Sequence, residues 1–212
     1  MAMSDGIAVQ LRYPFTGRWL VQNSPANRVP SHGTTLFASS YAIDFVPVDE
    51  RGHSAPMTAR TLFGRESADS FFGFGAPVLA PCAGNIVLVE NTLPDHDAHR
   101  GVASIGYALT QRLRVAGGWQ QLAGNHVMIQ GDGPIIALCH LQRNSITVEP
   151  GEEVAPGQMV ARCGNSGNST EPHVHVQAID RLPVHVAKAV PLLFDGQLPH
   201  NGQILQVPGT GA

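Results

Sequence analysis

Charge is scarce in this chain. Only 14% of its 212 residues are Asp, Glu, Lys or Arg, and the formal net charge is -3. No basic excess is available to meet a polyphosphate backbone, so a nucleic-acid partner is not expected. Long apolar runs are missing as well, and no stretch approaches the roughly 20 residues of a membrane-spanning helix. The opening MAMSDGIAVQ has neither the basic start nor the apolar stretch of a signal peptide. A cytoplasmic location is therefore the expectation, unless another export route operates. Cysteine is sparse and odd in number. Cys82, Cys139 and Cys163 sit in apolar or strand-like segments, which predicts reduced, buried thiols rather than a disulfide framework. Several active-site signatures are also absent. There is no His-Glu-x-x-His helix, no Gly-x-Ser-x-Gly elbow, and no lysine after the Gly/Asn/Ser-rich loop at 164–170. The turns at 81–84 and 156–158 carry no lysine to bear biotin or lipoate.

What is abundant is turn chemistry. Gly numbers 23 and Pro 16, against 43% hydrophobic residues. That balance predicts an all-β protein with many tight turns and at most one or two short helices. Residues 7–22 read as two short strands around a Pro14–Gly17 turn. YAIDFVPV at 41–48 and GAPVLAPCAGNIVLVEN at 75–91 read as further strands. NHVMIQ and IIALCHL form a hairpin across 131–134. Two long excursions, 49–75 and 91–124, interrupt the pattern. In the second, Ile105, Leu109 and Leu113 recur at helical spacing. The apolar segments at 76–90 and 150–164 echo one another, both punctuated by Pro and Gly. The organisation expected is one domain over 1–198, with N-terminal strands at 7–22, a core at 41–194 and a loosely ordered tail at 199–212.

The most informative stretch is GNSGNSTEPHVHVQAID, 164–180. Side chains two apart share a strand face, so His173, His175, Gln177 and Ile179 lie together, opposite apolar Val174, Val176 and Ala178. Two imidazoles at the mouth of a strand suit a metal or an acid–base site. Asp44 interrupts an apolar strand, where a carboxylate is costly unless paired or bound to a cation. His32 lies in the loop before it. A catalytic zinc takes three protein ligands and leaves one position open. His32, Asp44 and one of His173 and His175 could supply them. Proton transfer then falls to His140 and the other member of the pair. The remaining histidines, 53, 96, 99, 126, 185 and 200, read as solvated or structural.

In order along the chain, YAIDF, GAPVLAPCAGNIV, GNHVMI, ALCHLQ, GEEVAPGQMVARCGNSGNSTEPHVHVQ and PLLF resemble the lysostaphin-type (LytM-like) zinc metalloendopeptidases. The resemblance runs from about Tyr41 to Phe194 and is strongest over 140–180. It implies an antiparallel β-sheet architecture of sandwich or barrel-like form with a groove, related to the duplicated hybrid motif. It implies Zn2+ as cofactor, peptidoglycan peptides as substrate, and peptide-bond hydrolysis. By this resemblance Asp44 and His175 are zinc ligands, and His140 and His173 flank the attacking water and the oxyanion. One departure stands out. The family's first ligand lies four residues before the aspartate, where this chain has Ser40. His32, twelve residues before Asp44, is expected to replace it, with loop 33–40 folding back. If it does not reach, the expectation becomes a degenerate relative that binds cell-wall peptides or a partner protein without cutting.

Overall fold

The computed structural model describes residues 8–56, 66–98 and 117–209. Its regular structure is almost all strand. In chain order these are β1 (Val9–Leu11), β2 (Gly17–Gln22), β3 (Ile43–Pro47), β4 (Pro77–Leu79), β5 (Gly84–Glu90), β6 (Asn125–Gln130) and β7 (Ile135–Leu141). They continue as β8 (Glu153–Val154), β9 (Met159–Arg162), β10 (Val174–Ile179), β11 (Ala189–Val190), β12 (Leu192–Phe194) and β13 (Ile204–Val207). The α-helix among the described residues, α1 (Trp119–Ala123), is one short turn before β6. The all-β expectation therefore holds. The helical spacing at 105–113 falls outside the described residues.

The main sheet has nine strands in the order β13-β2-β3-β10-β7-β6-β5-β8, with β11 also pairing β10. Every pairing in it is antiparallel. It stays open, ending on β13 and β8, and does not close into a barrel. β10 sits near the middle, between β3 and β7. All seven residues of β7 are buried because both faces of the sheet are covered. Ile136, Leu138 and Leu141 face the larger core with Phe45, Val174 and Val176. Ile135, Ala137 and Cys139 pack in a second cluster with Met128 and Ile179. The expected hairpin across 131–134 joins β6 and β7.

The two echoing segments turn out to be partners. β4 pairs with β9 and β5 with β8, so 77–90 and 153–162 zip together antiparallel. The N-terminal strands differ from a simple hairpin. β1 pairs parallel with β12, whereas β2 joins the main sheet between β3 and β13. The segment from 199 is not a loose tail over its described part. β13 covers the edge of β2, with Leu205 opposite Trp19 and only 8% exposed. Gly and Pro there mark turns on either side of a short strand whose apolar residue is buried. Composition alone does not separate that case from disorder.

Candidate metal centre

Three neighbouring strands bring the polar residues together. Asp44 on β3 is the register partner of His175 on β10, and Cys139 on β7 flanks His175 on the other side. β10 obeys strict alternation: Val174, Val176 and Ala178 enter the larger core, and His175 and Gln177 take the opposite face. That face holds Asp44, which is 5% exposed.

His32 reaches the site from its loop. The backbone N–H of Ser31 donates to the Ser40 carbonyl at 3.0 Å, and Ser31 Oγ donates to the Ser39 carbonyl at 3.2 Å. Loop 33–40 is thereby folded back on itself. Two consecutive left-handed residues, Phe37 (φ 55°) and Ala38 (φ 59°), help turn the chain. Pairing residue 31 with residue 40 sets His32 beside the position where a ligand four residues before Asp44 would stand. His32 Nε2 lies 3.0 Å from Asp44 Oδ2, and His175 Nδ1 lies 2.9 Å from Asp44 Oδ1. One donor atom from each of His32, Asp44 and His175 lies within 4.8 Å of the others, so the three could hold a metal ion.

The electrostatics agree with that chemistry. Burial pushes the Asp44 carboxyl up. The charges of His32 and His173, with hydrogen bonds from His175 and His32, overcome it and hold the group well below the usual carboxylate range. Burial lowers the His32 imidazole, but the Asp44 charge and hydrogen bond outweigh it and leave its pKa raised. Two imidazoles around one buried anion thus compete for a positive charge that a divalent cation would supply. The ring orientations are fixed from behind. His32 Nδ1 meets Ser31 Oγ at 2.9 Å, and His175 Nε2 meets Gln177 Oε1 at 3.0 Å. Asn23 Nδ2 donates to Asp44 Oδ2 at 2.7 Å. These outer contacts hold the two rings and the carboxylate in place, as a metal site would require of its ligands.

His140 and His173 line the same space. Their ring centroids are 4.6 Å apart, and His140 is 5.8 Å from His175. His140 Nδ1–H donates to the Ser166 carbonyl at 2.9 Å. His173 Nδ1–H donates to the Glu171 carbonyl at 2.8 Å, with Ser169 Oγ at 3.0 Å. A carbonyl only accepts, so each ring is held through Nδ1–H and turns its Nε2 toward the site. Burial, reinforced by the neighbouring imidazoles of His173 and His175, holds the pKa of His140 well below the ordinary value. Such a ring is neutral at pH 7 and able to accept a proton.

Sequence reading missed the supporting residues. Asn23, Ser31, Ser166 and Ser169 come from turns whose composition carries no chemical signal. Within the excursion that starts at 91, the Asp95-His96-Asp97 run clips the 164–170 turn in place. Asp95 accepts from the backbone N–H of Asn165 at 2.6 Å and of Arg143 at 2.9 Å. His96 contacts the Gly167 carbonyl at 3.0 Å. His126 is buried, its Nδ1 2.7 Å from the Gly124 carbonyl and its ring 4.5 Å from that of Trp119, so it is structural. His99 lies outside the described residues. Cys139 and Cys163 are buried free thiols and Cys82 is half-buried. Burial and the Asp44 charge push the Cys139 thiol up, which makes it a packing residue beside the site and not a thiolate ligand.

Comparison with known proteins gives the chain its relatives. The peptidoglycan DD-endopeptidase ShyA of Vibrio cholerae is 40% identical over 68 residues, which is 32% of this chain and 16% of that protein. The match thus spans about a sixth of that relative's length. Among solved structures, the catalytic domain of the prophage-encoded M23 protein EnpA from Enterococcus faecalis aligns with 71% of this chain and 73% of its own. Its identity is 19% and its TM-score 0.41. The catalytic domain of lysostaphin, an antimicrobial peptidase from Staphylococcus simulans, aligns over 70% and 74%, at 18% identity and a TM-score of 0.39. The model of peptidase family M23 matches residues 65–185, more than half of the chain, and the protein belongs to that family.

Proposed function

We propose that this protein is a zinc-dependent endopeptidase that hydrolyses peptide bonds in the stems or cross-links of peptidoglycan. The single observation that carries the reading is the convergence of His32, Asp44 and His175 beside two histidines with bare Nε2 atoms. His32 through Nε2, Asp44 through its carboxylate and His175 through Nδ1 would hold the ion. When bound there, zinc polarises the scissile carbonyl and makes water a competent nucleophile near neutral pH.

The chain's own groups do the rest. His140 and His173, each anchored at Nδ1, present Nε2 on the side where substrate would bind. One takes the proton from the attacking water, and the other, once protonated, donates a hydrogen bond to the developing oxyanion. Returning a proton to the leaving amine completes the cycle. No glutamate base of the His-Glu-x-x-His type is present, so these imidazoles carry all the proton traffic. The family membership supports peptidase chemistry, and the ShyA relationship supports peptidoglycan as substrate.

The test joins elemental analysis to digestion. The purified protein is expected to carry about one zinc per chain and to release new fragments from purified muropeptides, read by mass spectrometry. Absence of bound metal under zinc-replete conditions would overturn the reading. Bound zinc with intact muropeptides would point instead to a binding protein built on a peptidase scaffold.

A further inference from the structure

We propose that Gln177 is a positioning residue: it orients the His175 ring through Nε2–H and ties that ring to the loop that delivers His32. The proposal rests on the reading of His32, Asp44 and His175 as the metal centre.

Gln177 follows His175 by two residues on β10 and is 2% exposed. A buried primary amide must find partners at both ends or lose the hydrogen bonds it made to water. Here it does. Its Nε2 lies 3.1 Å from the Phe37 carbonyl, and its Oε1 lies 3.0 Å from His175 Nε2. The Phe37 carbonyl can only accept, so the amide nitrogen must face it. The amide oxygen is left for His175, and an oxygen can only accept the imidazole's hydrogen.

That assignment fixes which way the ring faces. With Nε2–H held by the Gln177 oxygen, Nδ1 faces Asp44 Oδ1, 2.9 Å away, on the side where His32 Nε2 also meets Asp44. Without Gln177 the ring is held at Nδ1 alone and is free to tilt about that contact.

The second bond reaches further along the chain. Phe37 is one of the two left-handed residues that reverse loop 33–40, and its ring packs on the cluster containing Cys139 and Ile179. The Gln177 amide therefore joins two ligands that are 143 residues apart in sequence, as counted from His32 to His175. It holds one ring in its orientation and braces the loop of the other. A chain whose first ligand arrives from a loop needs such a brace, because that loop must be ordered before His32 can bind.

Two variants separate the two bonds. Gln177→Leu removes both. Gln177→Glu keeps an acceptor for His175 and loses the donor to Phe37. The measurements are zinc affinity by chelator competition, hydrogen exchange of residues 33–40, and the 15N shifts of the His175 ring. Gln177→Leu should move the Nε2 shift, bind zinc roughly 10–100-fold more weakly, and exchange faster over 33–40. Gln177→Glu should recover most of the affinity while the loop stays fast. A Gln177→Leu protein with unchanged ring shifts, or with zinc affinity within about twofold of wild type, overturns the proposal. If wild type takes up no zinc, the metal centre fails, and the ring shifts still decide the role of Gln177.

Discussion

His140 shows how one backbone angle can redirect a side chain. Strict alternation along β7 would put it on the face of Leu138, inside the larger core. The pairing with β6 slips there: Asn125 faces Leu141, but Val127 faces Leu138, so β7 holds one extra residue. His140 takes φ 63° at this bulge, a left-handed conformation that costs a non-glycine residue energy, and the ring swings round to meet His173 and His175. At this scale the proposed ligand and proton-transfer roles can be separated. His175→Ala or Asp44→Ala should abolish metal binding by elemental analysis. His140→Ala or His173→Ala should retain the metal and lower kcat on a muropeptide substrate by about 10²–10⁴-fold. A second residue-scale prediction concerns His126. Burial lowers its pKa, against the Gly124 hydrogen bond and the Glu90 charge. Below about pH 6.5 the unfolded chain takes up a proton that the native ring refuses, so stability falls as the pH drops through that window. Denaturation across the acid range should show a shallower slope for His126→Gln than for wild type.

At the scale of elements, the turn at 164–170 acts as a template for the strands around it. Ser166 Oγ accepts from the backbone N–H of Asn125 at 2.9 Å and donates to the Leu141 carbonyl at 2.8 Å, while its own carbonyl holds His140. Close approach makes this possible. A Cβ on Gly167, at φ +73°, would sit 2.4 Å from the Gly124 backbone nitrogen and 2.6 Å from the Leu122 carbonyl. Both obstacles are main chain and cannot rotate away. Gly167→Ala is therefore expected to cost about 3 kcal/mol in chemical denaturation and to loosen the His140 ring, visible as changed 15N shifts. The run of Gly, Asn and Ser was legible as a tight loop from composition. Its task of orienting a histidine on another strand was not, because hydrogen bonds across 26 residues leave no local pattern.

For the whole molecule, the sheet order matters most. β3, β10 and β7 are consecutive in space although 126 residues lie between β3 and β10 in sequence and 32 between β7 and β10, and Asp44, His140 and His175 converge only because these three strands pair in one register. The C-terminal segment contributes from the far edge. Besides the β13–β2 ladder, Ser24 N–H donates to Asn201 Oδ1 at 2.6 Å and Asn201 N–H to Asn27 Oδ1 at 2.8 Å. These bonds secure the loop that leads from Asn23 to His32. Removing residues 199–212 should thus lower Tm through loss of the β2 edge and Leu205 burial, worth about 2 kcal/mol or more. It should also weaken zinc binding through the His32 loop. Thermal melts with and without zinc separate the two effects: the truncated chain should show a smaller zinc-induced rise in Tm than the full chain.

By itself the sequence determined the all-β class, the alternation of β10, the β6–β7 hairpin and the identity of the polar residues that gather at its mouth. Each of these depends on residues close together in the chain, where period, turn chemistry and the cost of a carboxylate among apolar neighbours can be read directly. Only the tertiary structure decided that His32 comes to Asp44, that His140 leaves the core face, and that Gln177 bridges Phe37 and His175. It also placed β13 along β2. Those outcomes depend on register, on a one-residue bulge and on left-handed turns, all set by contacts between segments far apart in the chain. A strand's own pattern specifies which face it buries, but not which distant strand will lie beside it.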